Sequence, residues 1–508
     1  MPEYFIGLDL GTGALKTVLI DDEYNLIALA QRKLSIYLPK PGWAEQDPDE
    51  WWYKIYDSVR EVVSRARINP EDVKAISFST QMIGVIPVDR DGNPLRKAII
   101  WLDNRAEEEA EDILTEFGVE ELIDHVGGLP SGKDAVCKIL WLKRNEPEIY
   151  EHAYKILDVK DFLVYKMTGE FVTDYTCASV RGNFDMAKKT WSELIAEKLD
   201  LPIDKYPEIK SSLEPVGYLT SYAADRMGLT TKTLVVNGAG DVPAAAVGAG
   251  ATRVGDPHLY IGSSAWVAAT VDRRIMDPEH GMGSIVFVDP YKWLFIAEME
   301  SAGEDYKWLA ETLMDKEREE AEKKGISVYE IMDKLAEKAE PGSKNLIFLP
   351  WMYGERAPIP DIYVRGAFIN LSLDHRKEHI VRAVLEGIAY NIRWITDIVE
   401  EDIGKKIKYL PSLGGLLLGD ICGQILADVT RRTIGCVKDK LGAVGKGAAA
   451  MAMIGYGRLK RIEDVHELVS VDKEFTPIEE NSRIYDELYS VFKDLYERLA
   501  DVYSTLNG

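Results

Sequence analysis

Gly7-Leu8-Asp9-Leu10-Gly11-Thr12-Gly13-Ala14-Leu15-Lys16 is the stretch on which the fold turns. Tyr4–Asp9 is rich in β-formers, Gly11-Thr12-Gly13 breaks the run, and Lys16–Ile20 resumes it. After a turn at Asp21–Asn25, Leu26–Ala30 supplies a third run, so the spacing predicts an antiparallel meander. A hairpin turn of small residues can point several backbone N–H groups at a phosphate. Thr12 adds a hydroxyl. Asp9, at a strand end, is placed to hold Mg²⁺ through water, because that ion keeps much of its hydration and takes few carboxylates. The competing reading is an Asp that caps its own turn.

Further along, the same grammar returns. Thr233–Asn237 predicts a buried strand that ends in Gly238-Ala239-Gly240-Asp241, and the small residues of Val242–Gly250 predict a closely packed helix. His258–Ile261 is another strand, with Gly262-Ser263-Ser264 behind it, so strand, small-residue turn and strand recur as a structural echo. Two such hairpins facing each other can clamp a nucleotide's phosphates. An acid at a strand-to-helix junction can take the proton of an alcohol that attacks phosphorus, and Asp241 is the candidate base. The same Asp would also serve as a helix N-cap. Leu413-Gly414-Gly415-Leu416, ahead of a helix over Ile421–Thr430, lets a flat ring approach the backbone.

Other segments read as scaffold. Asp47-Pro48-Asp49-Glu50 opens a helix by N-cap, Pro and first-turn acids. Lys74–Ser79 and Val85–Val88 read as strands, residues 103–170 as mostly helical, and Glu378–Glu400 as a long core helix. Residues 315–340, dense in Glu and Lys, read as a solvated helical face. Gly442-Ala443-Val444-Gly445-Lys446-Gly447 imitates a P-loop but has two residues between its glycines where four are needed, and Gly after Lys. A Rossmann fingerprint fails too, because no helix pattern follows Gly11-Thr12-Gly13.

Composition bounds the rest. At 508 residues, with 46% hydrophobic and 29% charged, the chain is globular and long enough for two or three domains. A net charge of −24 argues against nucleic-acid or anionic-membrane partners. Four scattered cysteines, no signal-peptide pattern and no membrane-length apolar run predict a cytoplasmic protein. Glutamine occurs only at 31, 46, 81 and 424, against abundant Glu and Lys, a lean toward thermophile composition.

The order of these motifs resembles the FGGY carbohydrate kinases. The segments that carry the likeness are Gly42-Trp43-Ala44-Glu45-Gln46-Asp47-Pro48 with Trp51-Trp52, Gln81-Met82, Trp101-Leu102-Asp103-Asn104-Arg105, Gly240-Asp241, Gly354-Glu355-Arg356-Ala357-Pro358, and Gly414-Gly415 with Gln424–Asp428. The resemblance implies an α/β fold of two actin/hexokinase-like (ribonuclease-H-like) domains around a cleft, divided here as 1–248 and 249–508. It implies ATP and Mg²⁺ as cofactors, a small ketose or polyol as substrate with a pentulose such as xylulose foremost, and leaves room for a homodimer. Carried over, Gly11, Thr12, Gly13, Lys16, Gly262 and Ser263 hold phosphates, Gly414 and Gly415 the adenosine, and Asp9 the metal. Asp241 is the base, and Gln81, Met82, Trp101, Asp103, Arg105 and Asp241 shape the acceptor pocket. The branch most similar is xylulokinase-like, with two departures: Ile83 stands where His is usual, and Val242-Pro243 follows the catalytic Asp where Asn is usual. Losing two polar groups beside the sugar implies an acceptor other than D-xylulose as the best one. Rival readings are a kinase for ribulose, a deoxy-sugar or a sugar alcohol, and a non-catalytic ATP clamp or sugar sensor.

Overall fold

The meander forms as its turn residues require. In the computed structural model, which describes residues 2–508, β1 (Tyr4–Leu10), β2 (Ala14–Asp21) and β3 (Leu26–Lys33) pair antiparallel in sequence. The Gly11 N–H closes the first hairpin on the Ala14 carbonyl at 3.1 Å. Helix α1 (Pro48–Ala66) is capped by Asp47, whose side chain accepts the Asp49 N–H, and it buries Trp51, Ile55, Val59 and Val62 on one face. Next, β4 (Val73–Thr80) lies parallel to β1. The sheet is completed by β5 (Pro215–Tyr218), β6 (Leu234–Val236) and the short β7 (Ala239–Gly240), in the order β5-β6-β4-β1-β2-β3 with β7 on β4. Helix α2 (Asp241–Gly248) leaves directly from β7.

The second half repeats the plan. Strands β8 (Pro257–Ile261), β9 (Ala265–Val271), β10 (Met276–Asp277), β11 (Met282–Val286) and β12 (Trp293–Met299) are followed by the long helix α3 (Lys377–Ile403). Then come β13 (Tyr409–Leu413), α4 (Asp420–Thr430), β14 (Thr433–Val437), α5 (Ala443–Tyr456), β15 (Val471–Phe475) and α6 (Glu479–Asn507). Strands β8, β9 and β12 form an antiparallel meander, and β13 runs parallel to β8. This is the β1-β2-β3 and β4 arrangement over again, so the echo between the halves is topological.

Helix α5 belongs to the second half by sequence but packs on β1, β4 and α2 of the first. The approach is close enough to demand glycine. A Cβ on Gly7 would stand 1.8 Å from the Gly445 carbonyl oxygen, and one on Gly447 would stand 2.2 Å from that of Ala244. The P-loop look-alike is thus a helix start whose glycines serve backbone contact. Phe5, Val18, Ala244, Trp266, Leu413 and Ala448 share one apolar core that joins the two sheets.

Residues 103–170 are helical as expected, except that Lys155–Leu157 forms a strand on Ile86–Val88. The Glu/Lys-rich stretch forms two helices, and of Asp315–Lys324 only Ala321 is buried. Among the described residues no helix is long and apolar enough to cross a membrane, and all four cysteines are buried free thiols.

Candidate active site

The register brings the first motif together. Asp9 faces Lys16 across the hairpin and Ser79 on β4. Its carboxylate accepts from Lys16 Nζ at 3.3 Å and from Ser79 Oγ at 3.2 Å, two long bonds that leave lone pairs free. Asp9 holds the Lys16 ammonium above its ordinary pKa. Gly11 and Gly13 flank Thr12 at the open tip. Thr12 Oγ1 accepts the indole N–H of Trp101 at 2.7 Å. An indole nitrogen only donates, so the Thr12 proton is left for a further acceptor.

Two of the four glutamines meet beneath this turn. Gln81, 1% exposed, donates from Nε2 to Gln46 Oε1 at 2.7 Å, and Gln46 donates to the Thr12 carbonyl at 2.8 Å. Gln81 Oε1 has no partner within the chain. A buried acceptor without a donor is costly, which marks it as a place for a ligand hydroxyl.

Asp241 corrects one expectation. The N-cap of α2 is Gly240, and Asp241 is the first helical residue, its Oδ1 accepting the Val242 N–H at 3.0 Å. Its other oxygen has no partner within the chain, and the residue is half-buried. Burial, then the charges of Asp9 and Glu298, pushes its pKa up to about 8.

On the opposing sheet, the Gly262-Ser263-Ser264 turn closes by a Gly262 N–H bond to the Ser264 carbonyl at 2.9 Å. The Ser263 carbonyl accepts the Ala302 N–H at 2.8 Å, while the residue itself stays exposed. Tyr260, two residues earlier, stacks on Trp266 with centroids 4.0 Å apart, and its ring lies over Gly262. Burial raises its phenol, with Lys16 opposing and Asp9 and Asp241 adding to the rise, so the hairpin ends of both sheets share one electrostatic field. Gly414 has φ +119 and lies against the Ile261 backbone, whereas Gly415 faces open space. Gln424 and Asp428 bond to each other and fasten α4 to the start of α6.

Asp103 and Arg105 form a buried pair behind Trp101, with Arg105 Nη1 left without a partner in the chain. Both side chains are 0% exposed. Asp103 accepts the Ala44 N–H and three Arg105 donors, and the Arg105 guanidinium lies 3.8 Å from the centroid of Trp43. They brace the Trp101 segment from below.

A cavity of about 330 Å³ lies between the halves and reaches Val242, next to Asp241 in the chain; of the expected acceptor residues only Met82 lines it. Ile83 and Val242 join Met82 on one wall, with Ile285, Ile296, Glu298 and Arg356 opposite. Arg356 bridges Glu298 and Glu300, and Lys133 reaches Glu300 from the first half. Burial raises the Glu298 carboxyl. For Glu300, burial is outweighed by Arg356 and Lys133, which hold it low. Glu298 on β12 and Glu300, one residue past its end, stand at i and i+2, a spacing available in the sequence.

Family models agree with this architecture over most of the chain. Residues 4–248 match the N-terminal domain of the FGGY family of carbohydrate kinases, and residues 260–456 its C-terminal domain. The chain belongs to this family. A xylulose kinase of Staphylococcus epidermidis is 31% identical over 497 residues, 98% of this chain and 97% of that protein. A gluconokinase of Bacillus subtilis is 26% identical over 507 residues, 100% of this chain and 98% of that one. The solved xylulose kinase of Lactobacillus acidophilus superposes with a TM-score of 0.88 at 25% identity, covering 99% of this chain and all of the other. This FGGY protein is therefore a carbohydrate kinase on the two-domain actin/hexokinase-like fold.

Proposed function

We propose that the protein transfers the γ-phosphoryl group of ATP to a hydroxyl of a small ketose or polyol, with a pentulose such as xylulose as the class that its similarity to xylulose kinases favours. The observation that carries this reading is Asp241, set beside two equivalent hairpin turns with a pKa pushed up to about 8. A base near neutrality matches the proton it must take. The acceptor oxygen loses its proton to Asp241 and bonds to the γ-phosphorus. The bond from that phosphorus to the β–γ bridging oxygen breaks, and ADP leaves. Thr12, with its free proton, and Ser263 hold phosphate oxygens, assisted by the turn N–H groups around Gly11, Gly13 and Gly262 and by Lys16. Gly414 and Gly415 take the adenosine. Gln81 Oε1 receives an acceptor hydroxyl, Trp101 positions Thr12, and Met82 packs against the chain of the acceptor.

Asp9 fits Mg²⁺ bound with the nucleotide. Its lone pairs are only loosely used, and among the described residues no cluster of three or more acids, His or Cys could cage a metal alone. Such an ion takes one or two carboxylates plus phosphate oxygens and waters, and when bound it neutralises phosphate charge. An acidic acceptor such as gluconate fits less well, because the guanidinium of Arg356 is already committed to Glu298 and Glu300. The test is ADP release with ATP and Mg²⁺ across ketoses, polyols and deoxy-sugars. No acceptor raising release above the water background would overturn the reading.

A further inference from the structure

The cavity that reaches Val242 is walled mainly by apolar groups from both halves, and most of the polar side chains on its rim are already spent. Ser179 Oγ donates to the Thr176 carbonyl at 2.9 Å and receives the Val286 N–H at 3.2 Å. Ser284 Oγ exchanges two 2.9 Å bonds with the Ile275 backbone. Arg356 is divided between two glutamates. Asp134 and Glu298 each commit one oxygen, to the Ser131 N–H at 2.9 Å and to Arg356. The open side-chain acceptors of the rim are therefore their second oxygens and not any group on the Met82, Ile83 and Val242 wall. A hydroxyl delivered to the wall of Met82, Ile83 and Val242 would lose water without gaining a partner there.

That wall is held in place against local preference. Ile83 has φ +65, which a β-branched residue rarely adopts. Its N–H donates to Asp158 Oδ2 at 3.1 Å, and its carbonyl accepts from Lys138 Nζ at 3.2 Å. Asp158 also takes the Gly84 N–H at 2.8 Å, and Arg181 stands 3.6 Å from it. All three ions are fully buried. Opposite charges thus grip the peptide from both sides and present the isoleucine side chain to the cavity. Strain kept by such an apparatus points to function.

Resting on the phosphoryl-transfer reading above, we infer that the acceptor end lying on this wall carries no hydroxyl: the preferred acceptor is a deoxy-ketose or deoxy-polyol whose terminal carbon, remote from the reacting hydroxyl, is a methyl group. The test uses the full chain and matched pairs, such as D-xylulose and 1-deoxy-D-xylulose, with kcat/KM read from ADP release. The expected result is a preference of about tenfold or more for the methyl member, within the range an apolar pocket can give. Equal or better use of the hydroxymethyl member overturns the inference while leaving phosphoryl transfer intact. If neither member of any pair is phosphorylated, the transfer reading falls, and calorimetric binding of the same pairs decides: tighter methyl binding upholds the inference and equal or weaker binding overturns it. Ile83→Asn, which tolerates the left-handed backbone but puts a polar group on the wall, is expected to erase the preference. An unchanged preference in a folded Ile83→Asn protein also overturns the assignment of this wall.

Discussion

Replacing Gly7 by Ala tests the link between backbone packing and the site. The added Cβ would lie 1.8 Å from the Gly445 oxygen, 2.7 Å from the Ala449 nitrogen and 2.9 Å from the Gly445 carbonyl carbon. All three atoms are backbone, so no rotamer change relieves the overlap. Strand β1 and helix α5 must part by more than an ångström. Overpacking commonly costs 1–3 kcal/mol, and here, with main chain on both sides, about 3 kcal/mol is expected. For a lobe of this size that lowers the melting temperature by roughly 6–12 °C. The displaced strand carries Asp9 two residues on, and misplacing a reacting group by about 1 Å can cost 10²-fold in rate. Thermal unfolding by circular dichroism gives the first number, and ADP release well below the transition gives the second. Gly13→Ala is the stability control, because nothing stands within 4 Å of a Cβ there. A Gly7→Ala protein with the melting temperature and turnover of the parent would refute the close-packing account.

Asp241→Asn should lower turnover by about 10² to 10⁴-fold with little change in nucleotide affinity, measured by steady-state kinetics and nucleotide titration. Because the carboxyl is raised from 3.8 to about 8, kcat/KM should climb with pH and level off above about 8. Glu298→Gln, which removes one of the charges raising it, should move that limb to lower pH. In stability, the sign is opposite to that of a salt-bridged carboxylate: Asp241 favours the fold below its unfolded pKa, and that contribution is lost as pH rises through about 8. Asp9→Ala should impair activity in a way that extra Mg²⁺ partly restores, and full activity at limiting Mg²⁺ would reduce Asp9 to a turn cap. Burial raises the thiols of Cys177 and Cys422, so iodoacetamide should label neither before unfolding, as read by intact mass.

What was legible in the sequence was local. The meander, the two small-residue turns, the Asp47 cap and the strand-to-helix junction at Asp241 follow from turn chemistry and hydrophobic period over a few residues. What escaped depends on distant partners. The left-handed backbone of Ile83 is fixed by Asp158 and Lys138, 75 and 55 residues away. The glycines of 442–447 could be excluded as a P-loop, but their close contact with Gly7 and Ala244 needs the folded chain. Asp103 and Arg105 carry the family's pattern, yet they pair with each other in a buried cluster that leaves Arg105 Nη1 unpartnered, and no spacing rule tells which of their bonds are internal.

Helix α5 imposes an order on synthesis. The first sheet is complete once β7 has been made, but the helix that covers β1 and β4 is encoded about 200 residues later. At 5–20 residues per second the ribosome takes roughly 10–40 s to supply it. Throughout that interval the nascent first half shows the apolar face of Phe5, Val18 and Ala75 without its native cover. A chain truncated before Ala443 would keep that face bare permanently. Separating the halves for expression therefore calls for a circular permutation that places α5 beside the segment it covers, and not for a cut at the sequence midpoint.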